Sequence, residues 1–187
     1  MKGGLKALED YALKHFLSLT PNQAAQLIIC HGANIQNAEL VEICEKTIAA
    51  DIDQIAEIHS GYSVILDTLH GFLGTTHARQ KIIELLCSRL TRDISQLNLR
   101  EKCEFLRTLT LVEDEAATMQ ASGQVDFTTT IDHYLEIIEP YILDQINVMT
   151  LNDVLNAIIG FSHSQSTRRY GVLDALESRL VSACSTN

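Results

Sequence analysis

The chain has 187 residues, of which 46% are apolar and only 5% aromatic, and it carries a formal charge of −10. That charge repels phosphate backbones, so binding nucleic acid would need a local concentration of cations. No apolar stretch approaches the roughly 20 residues needed to cross a bilayer. Two prolines, no tryptophan and abundant Leu, Ile and Ala favour an all-α chain over a β-rich one.

Hydrophobic periodicity predicts nine helices, near residues 5–17, 21–32, 38–50, 61–73, 77–91, 99–113, 129–144, 151–162 and 167–182. Met1-Lys2-Gly3-Gly4 leads directly into the first of these, without a signal peptide. Leu5, Leu8, Ala12 and Phe16 form its apolar stripe, with spacing of three, four and four. The same spacing returns in Val41, Cys44, Ile48 and Ile52, and again in Ile83, Leu86, Leu90 and Ile94. Leu135, Ile138, Ile142 and Ile146 form a further copy, and Leu173, Leu176, Leu180 and Cys184 the last. Such spacing stacks side chains along one face of a helix. An acid follows the first member of these four later stripes, at Glu42, Glu84, Glu136 and Asp174.

Between the stripes lie helices that open on capping signals. Thr20 is followed by Pro21 and Gln23, Asn98 by Glu101, and Thr150 by Asp153. The second repeat lacks so clear a signal, and Ser60 is its best cap. Apolar pairs precede the caps (Phe16 and Leu19, Ile94 and Leu97, Ile146 and Met149) and would close each junction. The helices after the caps bring Leu27 and Ile28; Ile65, Leu66 and Leu69; Phe105, Leu106 and Leu109; and Val154, Leu155, Ile158 and Ile159. Self-similarity at about 40 residues is the mark of a helical repeat array. The predicted fold is a right-handed α-solenoid filling 1–187 as one domain, with a half repeat at 1–19. Repeats follow at about 20–58, 59–97, 98–149 and 150–184. The half repeat is either a terminal cap or the edge of a longer array.

The third repeat is stretched by an insertion at 113–128, acidic at first and then small and polar, which reads as a surface excursion. Pro140 removes one backbone hydrogen bond from its helix, but the stripe continues through Ile142, so the helix is kept.

Chemistry-bearing patterns are sparse. Five cysteines, at 30, 44, 87, 103 and 184, include no C-x-x-C pair and read as free thiols in a reducing compartment. The seven histidines make no H-x-x-x-H pair, and Cys30-His31 are adjacent and diverge, so no metal site is expected. Ser162-His163-Ser164 and Asp132-His133 are neighbours whose side chains point apart, and no nucleophile elbow or phosphate loop occurs. The expectation is a protein that is not an enzyme, with no cofactor, no small-molecule substrate and no membrane partner.

Cations cluster instead. Arg79, Lys81, Arg89, Arg92, Arg100, Lys102 and Arg107 fall in one segment, with Arg168 and Arg169 as a second pair. Ion pairing along helix surfaces is one reading of this segment. The other is a positive groove for an acidic partner or single-stranded RNA, although aromatic platforms are not interleaved.

The segments beginning Ile94-Ser-Gln-Leu-Asn-Leu-Arg-Glu and Ile146-Asn-Val-Met-Thr-Leu-Asn-Asp resemble heptatricopeptide-type repeats, with HEAT-type arrays as the alternative. The likeness spans nearly the whole chain. It implies a mitochondrial location, otherwise a cytoplasmic one, and a place in RNA metabolism or a large ribonucleoprotein. The expected function is a non-catalytic scaffold or adaptor binding protein partners in a larger complex. Direct binding of single-stranded RNA along the central cations is the first alternative, and a cryptic enzyme the second.

Overall fold

Three helix starts are written in one chemical form, and each closes as a capping box. The computed structural model describes residues 2–15, 19–56, 62–75, 80–121, 128–162 and 170–185. The Gln23 amide N–H donates to Thr20 Oγ1 at 3.3 Å, while the Thr20 amide donates to Gln23 Oε1 at 3.0 Å. Asn98 and Glu101 exchange the same two bonds at 2.9 Å each. Thr150 and Asp153 do so at 3.0 and 3.3 Å. Each box satisfies amide donors that a helix start leaves bare, and a cap contributes about 1 kcal/mol.

Among the described residues every regular element is helical. The helices are α1 (Lys2–Lys14), α2 (Pro21–His31), α3 (Ala38–Ala50), α4 (Asp53–Ala56) and α5 (Ser63–Leu73). They continue as α6 (Gln80–Arg92), α7 (Leu99–Ala121), α8 (Thr128–Gln145), α9 (Leu151–Ser162) and α10 (Tyr170–Ser185). Short 3-10 turns follow α2 at Gly32–Asn34 and α8 at Ile146–Val148.

Several bounds differ from the periodicity. The short helix α4 was not expected, nor was the cap on α3, where Asn37 Oδ1 accepts from Glu39 and Leu40 at 3.0 and 3.3 Å. Helix α5 starts after Tyr62 without a side-chain cap; Ser60 lies outside the described residues. The helix expected to stop near 113 runs on to Ala121, so the first part of the insertion prolongs α7. Its Glu, Ala, Met and Gln residues are good helix formers, which explains the extension. Residues 122–127 lie outside the description. Helix α8 runs through Pro140.

The chain divides into two compact units, Met1–Cys87 and Ser88–Asn187, with the division falling inside α6. In the first unit α2 packs against both α3 and α5, α4 touches α2 and α5, and α1 meets α3. In the second, α7 packs against α8 and α9, and α10 against α9 and α8. The stripes supply the core of these contacts. Val41, Cys44 and Ile48 are buried in α3, and Leu135, Ile138 and Ile142 in α8. Leu176 is buried in α10, whereas Cys184 at the end of that stripe is exposed. The junction residues Ile94, Leu97 and Met149 are buried too. Arg179 Nη2 donates to the Met149 carbonyl at 3.1 Å and so ties α10 to the turn preceding α9.

Helix α2 meets α5, and α7 meets α9, through glycine. A Cβ placed on Gly71 of α5 would stand 2.6 Å from the Ile28 carbonyl oxygen and 2.7 Å from Ile28 Cγ2, both on α2. One on Gly32 would stand 2.3 Å from the Gly71 oxygen. In the second unit, a Cβ on Gly160 of α9 would stand 2.7 Å from Leu106 Cβ and 2.9 Å from the Leu106 backbone on α7. Those separations leave no room for a side chain, so backbone meets backbone. Gly71 and Gly160 are each followed by a fully buried phenylalanine, Phe72 or Phe161. In both units a helix carrying a Gly-Phe pair thus packs closely against its neighbour through the glycine.

Candidate functional site

The cations of the central segment do not act alike once the chain folds. Arg89, its side chain only 10% exposed, is ion-paired with Asp93 four residues on. Arg92 is exposed and lies 3.5 Å from the same carboxylate. Lys102 is buried: its Nζ donates to the Leu97 carbonyl at 2.6 Å and sits 5.6 Å from the centre of the Tyr141 ring. Burial lowers its pKa, against smaller upward pulls from Cys103 and Glu101. Its ammonium thus fastens α7 to the junction before it.

Arg92, Arg100 and Arg107 remain exposed in the second unit, and Lys81 is exposed in the first. Arg79, Arg168 and Arg169 lie outside the described residues. Of the seven central cations, two are thus consumed by the fold and four are exposed.

A different surface stands out on α9. Leu151, Leu155 and Ile159 are 46%, 42% and 42% exposed and lie four residues apart on one helix face. Leu155 and Ile159 carry apolar periodicity like their neighbours, but only Val154 of that set is buried, and Ile158 is half-buried. Val148, in the 3-10 turn just upstream, is 71% exposed. Helix α9 reads Leu-Asn-Asp-Val-Leu-Asn-Ala-Ile-Ile-Gly-Phe-Ser, and its single charge, Asp153, is buried in the cap. The exposed side of α9 is therefore aliphatic and amide, without a charge. A sequence signal for it existed: a helix in a strongly charged chain with no charge on its outer face.

Among the described residues of the first unit lie two hollows. One, of about 490 Å³, is lined by Tyr11, His15, Leu19, Leu27 and Cys30 between α1 and α2. The other, of about 260 Å³, runs between the end of α2 and α5, past Asp67 and His70. No group of three or more His, Cys, Asp or Glu that could hold a metal occurs among the described residues. No described helix is long and apolar enough to cross a membrane. His133 is exposed on α8, and His163 lies outside the described residues.

The thiols divide by burial. Cys44, Cys87 and Cys103 are buried, while Cys30 and Cys184 are exposed. Burial pushes the Cys44 and Cys103 thiols up to about 12, aided by Glu45 and Asp153 respectively, with Lys102 opposing at Cys103. Cys87 is driven upward as well, first by burial and then by Glu84. Two thiols should therefore react quickly with a disulfide reagent in the native protein, and three only on unfolding. A raised folded pKa gives stability that is whole below the ordinary thiol value of about 9 and fades as pH climbs toward 12. Lys102 works in the opposite direction below its usual 10.5, one group against three. The urea midpoint should accordingly fall between about pH 9 and 11. A midpoint that held steady or rose across that range would show the thiols to be solvated.

No family model matches the chain, and neither the curated proteins nor the solved structures provide a match.

Proposed function

We propose that this chain is a non-catalytic helical-repeat scaffold or adaptor that joins a larger assembly through protein contacts. In this reading the crossing of α2 by α5, and of α7 by α9, extends through the chain as a right-handed solenoid of about four hairpins. The carrying observation is the uncharged aliphatic face of α9, since a soluble helix seldom leaves three aliphatics in line without a partner. The likeness to heptatricopeptide-type repeats is the ground for proposing an organellar ribonucleoprotein as that assembly.

Binding of RNA by this chain itself is the reading to be eliminated. A labelled single-stranded RNA of about 20 nucleotides, followed by fluorescence anisotropy, should show no binding at about 0.15 M salt. Sub-micromolar binding that persists at that salt, and is lost when Arg92, Arg100 and Arg107 are changed to Glu, would replace the scaffold with an RNA-binding protein.

A further inference from the structure

The helices that follow the three capping boxes can be laid over one another by counting from the cap. After Thr20, the fifth, eighth and twelfth residues are Ala25, Ile28 and Gly32, and all are buried. After Asn98 they are Cys103, Leu106 and Thr110, again all buried. At three of these positions the covering helix is known from direct contact: α5 crosses Ile28 and Gly32 through Gly71, and α9 crosses Leu106 through Gly160. After Thr150 the same positions are Leu155, Ile158 and Ser162. Leu155 is 42% exposed, Ile158 half-buried and Ser162 exposed.

Residue character is retained at the eighth and twelfth positions, while the fifth changes from Ala25 and Cys103 to the larger Leu155. The eighth residue is a branched aliphatic in all three helices (Ile28, Leu106, Ile158), and the twelfth is small (Gly32, Thr110, Ser162). Helix α9 thus presents a crossing surface of the kind used twice already in this chain, continuous in design with the α2–α5 and α7–α9 interfaces, but open.

We propose that this face of α9 is the docking site for one helix of a partner protein, which enters as the next helix of the stack. The required chemistry follows from the two filled crossings: a glycine or comparably small residue over Ile158 and a large apolar residue directly after it. A second copy of this chain is a poor occupant, because Gly71 and Gly160, which make such crossings, are engaged within each copy. Leu151 and Ile159 flank the crossing and extend the apolar contact. The inference rests on the scaffold reading and gives it a partner.

The probe is a fluorescent peptide copying Thr150–Ser162, which carries the Gly-Phe pair of α9. Its outward positions are changed, Leu155→Glu and Ile159→Lys, and joined as a lactam to hold the helix and remove its own sticky face. Titrated with the full-length protein, it should bind saturably. Leu155→Glu in the protein should weaken binding by at least about tenfold, as should Gly160→Leu in the peptide, whereas Arg107→Glu in the protein should leave it unchanged. Leu155 is exposed, so that variant should keep the wild-type circular dichroism and melting curve. Absence of saturable binding, or equal binding by the Leu155→Glu protein, would overturn the proposal. So would a concentration-dependent dimer of the protein alone that Leu155→Glu dissolves, for the occupant would then be a second copy. Failure of the scaffold reading itself looks different: salt-resistant binding of RNA through the arginines, with α9 uninvolved.

Discussion

Gly160→Val is expected to destabilise the protein by about 3 kcal/mol, at the upper end of the usual cost of overpacking. The three atoms nearest the missing Cβ all belong to Leu106, and two of them are its backbone carbon and oxygen at 2.9 Å. A backbone cannot swing aside as a side-chain tip can, so α9 must lift from α7 and expose apolar surface on both. For a chain of this size that corresponds to a fall in Tm of roughly 10 °C. Gly171→Ala provides the control, because nothing lies within 4 Å of a Cβ added there. It should leave Tm unchanged or raise it slightly through better helix propensity, worth about 0.5–1 kcal/mol. If thermal melts show equal changes for the two variants, the crossing does not set the stability.

Phe72→Ala is expected to cost about 3–5 kcal/mol, the range for emptying a buried aromatic site. Phe72 is fully buried in α5, next to Gly71, and its carbonyl accepts both the Thr75 hydroxyl at 2.8 Å and the Thr75 amide at 2.9 Å. Phe72 directly follows Gly71, whose backbone is held against Ile28 of α2, so the helix cannot easily shift to close the space. Urea unfolding with an unchanged slope and a lowered midpoint is the expected signature. A loss below about 1 kcal/mol would mean that the first unit relaxes around the hole, contrary to so tight a crossing.

The parts of this fold legible in the sequence are those encoded locally. A cap needs only a Thr or Asn and an acid or amide three residues later, and all three predicted boxes form. Stripes at three-four-four spacing likewise mark the buried side of α3, α6 and α8, as Ile48, Leu86 and Ile138 show. What escaped depends on neighbours distant in sequence. Gly71 and Gly160 read as weak points in helices, because the benefit of lacking a Cβ appears only when a second helix crosses there. Leu155 and Ile159 have the periodicity of core residues; their exposure reflects what is not stacked on them. Lys102 has the composition of a surface patch, and only the Leu97 carbonyl and the Tyr141 ring show it to be a buried fastening. The same holds for Arg89, whose charge is taken up by Asp93.

The scaffold reading and the open face of α9 both depend on one geometric claim, that α5 crosses α2, and α9 crosses α7, through glycine. A NOESY spectrum of the full-length protein, with isoleucine and leucine methyls labelled, tests it directly. The crossing predicts cross-peaks from the Gly71 Hα protons to the Ile28 γ2-methyl, and from the Gly160 Hα protons to the side chain of Leu106. Their absence in a well-dispersed spectrum, with other core contacts present, would contradict the stacking and remove the basis for a docking face on α9.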